Sequence, residues 1–591
     1  SREEALSQTA DFEAEYKSDN FVGVVKLGRT WSQGGPSINF RMSAKPRVAV
    51  NGQYQPGNRF TAWDLTGTPS MTFSPDLQDR ILGGFSEIDV GSTDSSWINT
   101  RISQYYGQAD GTWLLSSGSF DSLQFGVKYR DGSVHRNTGN TIWNCPGTTT
   151  RYQQCDTTAS TARPEFFLSD PITNIPGGFS ANVFPGINFT NYLGYLDSRY
   201  GGSVRFEEPD FVYNVGEKIW SGYLQANVRS DRLRGNWGVR LVHTKQRAES
   251  TDAVERFLDY FADGPDGRPL ACTPGAANQI CESGFVRAEV REKTFELNTL
   301  DKTYTDVLPS LNVAFDVTPT LVARGAVAKV IARPAFTNLA FPGALNFVSE
   351  EYSSDRVAGG GTSQPGWTGS GSNKDLAAFQ AWQYDLGLEW YYHRGSVIGV
   401  GLFRKDVKNF VVPVSQDQAV TIGGETVNVR NFSTQANGQD GVSQGIEFYA
   451  QHTFDFGVGY QANLTFNDTN TAAVVLNGRE IAQSPLVGSA ENQANFTLFY
   501  ENDVFLARAS YNRRGEVVNG THNQLTIYTE PYEQVDLNVA YNITPRLVLT
   551  ASVLNLTRSE LRQHLGKDTR ARFWTNGYSG RIAFAGATFK F

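Results

Sequence analysis

The chain has 591 residues, 52 basic and 60 acidic, a net charge of −8, and 39% hydrophobic and 13% aromatic residues. No apolar run reaches even about 12 residues, so the roughly 20-residue helix that crosses a bilayer is excluded. A mildly acidic balance gives no electrostatic reason for a nucleic-acid partner, and so many aromatics argue against disorder.

Period-two alternation, the strand period, recurs along the whole chain. In chain order it predicts seventeen strands, near residues 6–18, 21–33, 97–115, 120–137, 217–230, 235–250, 303–317, 321–333, 380–393, 396–414, 441–455, 457–470, 491–501, 504–517, 532–544, 547–560 and 580–591. In the strand near 532–544, Val535, Leu537, Val539, Tyr541 and Ile543 alternate with Gln534, Asp536, Asn538, Ala540 and Asn542. Tyr384, Leu386, Leu388 and Trp390 alternate with Gln383, Asp385 and Glu389 in the same way. Many of these strands exceed the usual soluble length of about 5–6 residues and suit a tilted bilayer-crossing strand of roughly 9–11. An alternating strand with lipid on one face averages to a polar-looking sequence, so the low hydrophobic content is no objection.

The connections alternate between short and long. Ser18-Asp19-Asn20, Thr318-Pro319-Thr320, His393-Arg394-Gly395, Asn502-Asp503 and Thr544-Pro545-Arg546 are tight turns. The long connections lie near 34–96, 138–216, 251–302, 334–379, 415–440, 471–490, 518–531 and 561–579. Short turns at one end and long loops at the other are the layout of an all-β, transmembrane antiparallel β-barrel with the long loops outside the cell. Tracing back from a last strand that ends on the short-turn side, the strand near 6–18 runs downward. A chain that starts in the periplasm must begin upward, so an odd number of strands is expected upstream. One would bring seventeen to about 18, and five would bring it to about 22, the size of the large plugged barrels.

Four cysteines fall in two close pairs, Cys145 with Cys155 and Cys272 with Cys281, in loop-like segments. Two loop disulfides suit an exported protein, and four unrelated free thiols are the alternative. Neither a Cys-x-x-Cys pair nor a histidine cluster points to a metal, and no nucleophile–base constellation or phosphate loop points to an enzyme or a cofactor.

The segments 304–312 (YTDVLPSLN), 318–319 (TP), 328–336 (AKVIARPAF), 384–392 (YDLGLEWYY), 401–410 (GLFRKDVKNF), 441–449 (GVSQGIEFY), 536–541 (DLNVAY) and 553–557 (VLNLT), with the terminal strand, resemble TonB-dependent outer-membrane receptors in order and spacing. The resemblance is to the branch abundant in Caulobacter-like and Xanthomonas-like bacteria, and residues 120–130 (FDSLQFGVKYR) also fit it. It implies that residues 1–591 are barrel wall, with a plug domain and the first strands upstream of residue 1. It also implies a Gram-negative outer-membrane location, a TonB partner bound through an N-terminal box not present in this chain, and contact with outer-membrane lipid and lipopolysaccharide. The activity it implies is import of a scarce nutrient, an oligosaccharide slightly ahead of a siderophore or metal chelate; a passive porin or adhesion scaffold is the alternative.

Candidate ligand contacts are the loop tryptophans Trp63, Trp143, Trp367 and Trp574, with Trp97 where a long loop meets its strand, because flat rings stack on sugars. Packing inside folded loops, or a place in the aromatic girdle, is the plainer reading of each. Arg240, Arg324, Arg404 and Arg508 are expected to face the lumen, where they would bind an anionic ligand or meet plug carboxylates. A solvated or plug-contacting wall is again the plainer reading. Arg333-Pro334 is expected to mark where a strand leaves the sheet for its extracellular loop, since proline cannot donate to a ladder.

Overall fold

The computed structural model describes residues 2–50, 53–56, 60–64, 70–73, 88–115, 118–143, 168–173, 183–200, 203–209, 212–261, 270–271, 273, 281–282, 285–340, 342–348, 365–422, 424–438, 440–471, 474–476, 479–481, 485–522, 525–566 and 572–590. Seventeen strands form its wall. They are β1 (Arg2–Lys17), β2 (Phe21–Val50), β3 (Ile88–Leu114), β4 (Phe120–Trp143), β5 (Tyr213–Arg229), β6 (Leu233–Phe261), β7 (Phe285–Thr318), β8 (Leu321–Ala332) and β9 (Phe379–His393). After them come β10 (Ser396–Lys408), β11 (Gly441–Thr453), β12 (Val458–Thr471), β13 (Asn492–Glu501), β14 (Phe505–Arg514), β15 (Tyr532–Thr544), β16 (Leu547–Leu554) and β17 (Ile582–Phe589).

Each wall strand pairs antiparallel with the next. The seventeen expected strands are these seventeen. Among the described residues β1 and β17 do not pair with each other, so each keeps one open edge. Strand ends differ more than strand number. Segments 34–96 and 251–302 are expected as loops, yet β2, β3, β6 and β7 run far into them. A hairpin outside the membrane continues its ladder as long as its backbone groups pair.

The short turns follow from local hydrogen bonding. Thr318 Oγ1 accepts from the Thr320 and Leu321 amides at 3.3 and 3.0 Å, and Thr544 Oγ1 accepts from Arg546 and Leu547 at 3.2 and 3.0 Å. Asn502 Oδ1 accepts from the Val504 and Phe505 amides at 2.9 and 2.7 Å. The expected strand near 547–560 stops early because Asn555 adopts φ 52°. Its side chain closes that bend, donating to the Ser559 and Gly580 carbonyls at 3.1 Å each and accepting from the Ser559 amide at 2.8 Å.

Alternation sorts the side chains into two faces. The large apolar residues of one face, among them Phe12, Val127, Leu241, Leu311, Leu386, Leu402 and Leu498, are exposed in the isolated chain. This is the lipid-facing surface of a barrel. The opposite face is polar and carries loop segments packed against it. The main buried cluster lies there, where Leu339 and Leu376 meet Val134, Tyr213, Val215 and Ala248. No described helix is long and apolar enough to cross a membrane. Of the four cysteines, Cys145, Cys155 and Cys272 lie outside the described residues, so neither expected disulfide is described.

Candidate functional site

The inner face of the wall has two polar zones, stacked along the barrel axis. At the short-turn end lies a cavity of about 920 Å³, lined by residues that include Asn227, Arg234, Asn312, Arg324, Glu389 and Tyr449. Arg324 Nε donates to Glu389 Oε2 at 2.9 Å, and the Tyr391 hydroxyl donates to the same oxygen at 2.7 Å. Arg234 Nη2 donates to Asp316 Oδ1 at 2.7 Å.

A repeated device lines the inner face. Glu389, Gly399 and Tyr449 are cross-strand neighbours on β9, β10 and β11. The tyrosine ring lies across the glycine towards the carboxylate; a Cβ at position 399 would stand 2.2 Å from Tyr449 Cζ. Asp110, Gly126 and Tyr223 repeat the arrangement on β3, β4 and β5, with the Tyr223 hydroxyl 3.0 Å from Asp110 Oδ1. Asp11, Gly28 and Tyr106 repeat it on β1, β2 and β3 at 2.8 Å. In each case the missing side chain lets an aromatic ring cover bare backbone and reach a carboxylate two strands away.

The second zone is nearer the long loops. β8 ends at Ala332, as the Arg333-Pro334 step predicts, but the chain then turns inward. A short helix (Phe336–Ala340) packs on β5 and β6, and the strand Ala344–Val348 pairs in parallel with β6. Polar clamps hold the rest of this segment. Lys302 Nζ reaches Asp375 Oδ1 and the Asp375 carbonyl, both at 2.8 Å. Asn437 accepts from the Ala377 amide at 2.7 Å and donates to its carbonyl at 3.1 Å. Beneath the segment, Glu217 is 4% exposed, and its Oε2 lies 3.8 Å from both Arg130 Nη2 and Arg333 Nε. Glu217 Oε1, Tyr304 Oη, Asp306 Oδ2 and both side-chain atoms of Gln246 are buried in this layer without a hydrogen bond. Such under-satisfied groups cluster where structure serves something besides stability.

Lys374, in the inward segment, is 7% exposed. Burial pushes its ammonium below the ordinary lysine value, and the nearby Asp252 carboxylate offsets part of that. The folded chain therefore releases this proton at lower pH than the unfolded chain does. Stability then rises with pH from the folded value up to the ordinary one. Unfolding midpoints taken along an alkaline pH series should show this rise, and the Lys374→Met variant should lack it.

The expected ligand contacts separate into groups. Arg240, Arg324 and Arg508 stand on the inner face. Arg240 lies 4.9 Å over the Tyr223 ring, and Arg508 lies 5.9 Å over the Phe499 ring. Arg404 is a correction: its cross-strand partners are Tyr384 and Gln444, and it shares a face with Leu402 and Leu386, so it points outward. There Arg404 Nη2 lies 2.9 Å from Asp406 Oδ1, and Nη1 donates to Gln444 at 2.9 Å. Trp367 packs inside its folded loop, 5.1 Å from Phe347 and beside Val254, Leu345, Val429 and Phe432. Trp97 is half-buried in β3, and Trp574 is exposed on the strand Phe573–Tyr578. Trp63 and Trp143 lie in strands, with side chains outside the described set. Glu217, Lys302 and the carboxylate–glycine–tyrosine rows escape sequence reading, because an isolated acid or glycine in a strand carries no local mark of its cross-strand partners.

A family model described as "TonB dependent receptor-like, beta-barrel" matches residues 31–556. The fold is similar to that of the siderophore receptor PiuA from Acinetobacter baumannii, with a TM-score of 0.56 at 12% identity over 100% of this chain and 65% of that one. It is also similar to the ferric-catecholate import receptor Fiu from E. coli K12 in its closed form, with a TM-score of 0.53 at 13% identity over 100% and 64%. For the ferric yersiniabactin uptake receptor FyuA from Yersinia pestis the TM-score is 0.50 at 12% identity over 99% and 62%. At these identities the likeness is one of fold, and the chain spans slightly less than two thirds of the length of these receptors. No curated protein matches the chain.

Proposed function

The chain belongs to the TonB-dependent receptor β-barrel family, and on that premise we propose that it forms most of the wall of an outer-membrane importer for a scarce nutrient, driven through TonB by the inner-membrane proton-motive force. The observation that carries this reading is the two-faced wall: apolar outside, polar within, and narrowed near the long loops by the clamped segment after β8. Transport moves a ligand without making or breaking bonds, so no catalytic residue is assigned.

The open edges of β1 and β17 support a wall completed by further strands; five more would make about 22. A plug would then meet the inner polar zone at the short-turn end, with Arg240, Arg324 and Arg508 among its wall contacts, and the long loops would face outside the cell. For the ligand, a metal chelate now stands ahead of an oligosaccharide. Trp367 is committed to packing, which removes one of the rings proposed to stack on sugar, and the receptors similar in fold are named for ferric siderophores. Trp574, exposed on its strand, stays a candidate for stacking.

Uptake of a radiolabelled ferric-siderophore panel by cells producing the protein tests this, with and without a protonophore and in a strain lacking TonB. Accumulation should stop in both conditions. Uptake that survives a collapsed proton gradient would instead identify a passive pore.

A further inference from the structure

The wall splits between β7 and β8. Their ladder runs from Thr318 beside Leu321 up to Ser310 beside Ala328 and ends there, although both strands continue. Residues 303–309 of β7 pair with β6, and residues 329–332 of β8 pair with β9. Among the described residues no strand pairs with either stretch on the side that faces the split. Pro309 occupies the first unpaired position of β7, and proline has no N–H to offer a ladder.

The split opens within the apolar belt. Val307 is the cross-strand partner of Leu241, and both are exposed on the lipid side. Across the split, Lys329 stands beside Trp382, whose ring stacks 6.5 Å from that of Tyr384 on β9. The chain leaving β8 turns into the lumen. Arg333, the first residue past its end, donates from Nη2 to Thr244 Oγ1 at 3.1 Å, and the helix Phe336–Ala340 packs on β5 and β6. Both contacts lie beyond β7, so the chain passes behind β7 rather than along its edge.

Behind the split lies the buried polar layer. Asp306, Tyr304 and Lys302 face inward from this stretch of β7, beside Val242, Thr244 and Gln246 of β6, and Gln246 in turn stands beside Glu217. Asp306 is 5% exposed and Gln246 3%. Asp306 Oδ2, Tyr304 Oη and both side-chain atoms of Gln246 are buried here without a hydrogen bond, which costs stability unless something else supplies the partner. A polar tie crosses the split, where Gln380 Nε2 on β9 donates to Asp306 Oδ1 at 3.2 Å.

We propose that the split is a slot for the alkyl chain of an amphiphilic ligand. The polar head binds in the lumen against Asp306, Tyr304 and Gln246, and the chain runs out between β7 and β8 into the surrounding lipid. A wholly polar solute has nothing to place between the apolar lips, and a hydrocarbon leaves the buried atoms unpaired; a ligand with both parts satisfies both. The free oxygen of Asp306 suits an N–H or O–H donor and repels a phosphate. Joined to the import reading, on which the ligand's being a chelate rests, this makes the substrate a metal chelate with an acyl tail.

The test places the full-length protein in phosphatidylcholine nanodiscs with a ferric trihydroxamate that carries a palmitoyl chain bearing a diazirine. After irradiation, labelled peptides are mapped by mass spectrometry. Label should gather on residues 303–309 and 329–332, severalfold above the lipid-facing positions Leu402 and Leu498. Tyr304→Phe removes a hydroxyl that has no partner, so it should fold as well as the parent and label the slot about fivefold less. Val307→Cys/Ile331→Cys occupies positions that an uninterrupted ladder would set side by side. Bridged by a cleavable dithiol reagent, it should label the slot no more than the rest of the wall until the bridge is cut. Folding is followed by heat-modifiable electrophoretic migration, and Tyr304→Phe decides alone should the cysteine pair not fold. Label spread evenly over the wall, unchanged labelling of Tyr304→Phe, or equal slot labelling by phosphatidylcholine with the same chain would overturn the proposal. Labelling needs neither TonB nor energy, so absent uptake with a labelled slot would remove the import reading and leave the slot standing.

Discussion

Arg333→Ala is expected to destabilise the folded chain by about 3 kcal/mol or more, the usual cost of breaking a buried ion pair from one side. Glu217 is 4% exposed and relies on two guanidinium groups, each 3.8 Å away, with its second oxygen unpartnered. Removing Arg333 leaves that carboxylate with Arg130 alone. It also removes the 3.1 Å hydrogen bond that Arg333 Nη2 donates to Thr244 Oγ1. The Arg333→Ala/Glu217→Gln pair should recover most of the loss, because the uncompensated charge disappears. Chemical unfolding in detergent, followed by tryptophan fluorescence, measures both. If the double variant is no more stable than the single, Glu217 is not the group that Arg333 serves. The same single variant should speed trypsin cleavage in the segment after β8, since Arg333 joins that segment to the wall.

Gly399→Val is the second large effect, expected to cost about 1–3 kcal/mol through overpacking. Even the first atom of a side chain would stand 2.2 Å from Tyr449 Cζ and 2.5 Å from its hydroxyl oxygen. Tyr449 must then leave the glycine, which also breaks its approach to Glu389. Tyr449→Phe keeps the ring over the glycine and loses only the hydroxyl, so its cost should stay near about 1 kcal/mol. Tyr449→Ala in the Gly399→Val background should restore part of the loss. Thermal unfolding of the four proteins checks this ordering. If Gly399→Val matches the parent in stability, the ring does not depend on that glycine.

The strands were legible because alternation is local: backbone geometry puts successive side chains on opposite faces, whatever lies elsewhere. Val535 to Ile543 shows the pattern without any partner in view. The short turns were legible for the same reason, since Thr318, Asn502 and Thr544 bond amides only two or three residues away. Arg404 shows the limit. Its neighbour Phe403 is as apolar as an outward residue, so interleaving alone assigned the pair to the wrong faces. Only the register, Tyr384 beside Arg404 and Asp385 beside Phe403, corrects it. Trp367 looked like a free loop aromatic because its contacts, Phe347 and Val429, come from other turns of the chain.

From the sequence by itself came an all-β wall of seventeen alternating strands with short turns at one end. Each of those properties depends on spacing within a few residues. The tertiary structure alone decided what gathers across strands. It placed the Glu217 layer under an inward-folded segment and the three carboxylate–glycine–tyrosine rows within the barrel. A cross-strand contact joins residues up to a hundred or so positions apart, as Tyr223 joins Asp110, and register sets it. A slip of one residue would turn every such side chain to the other face.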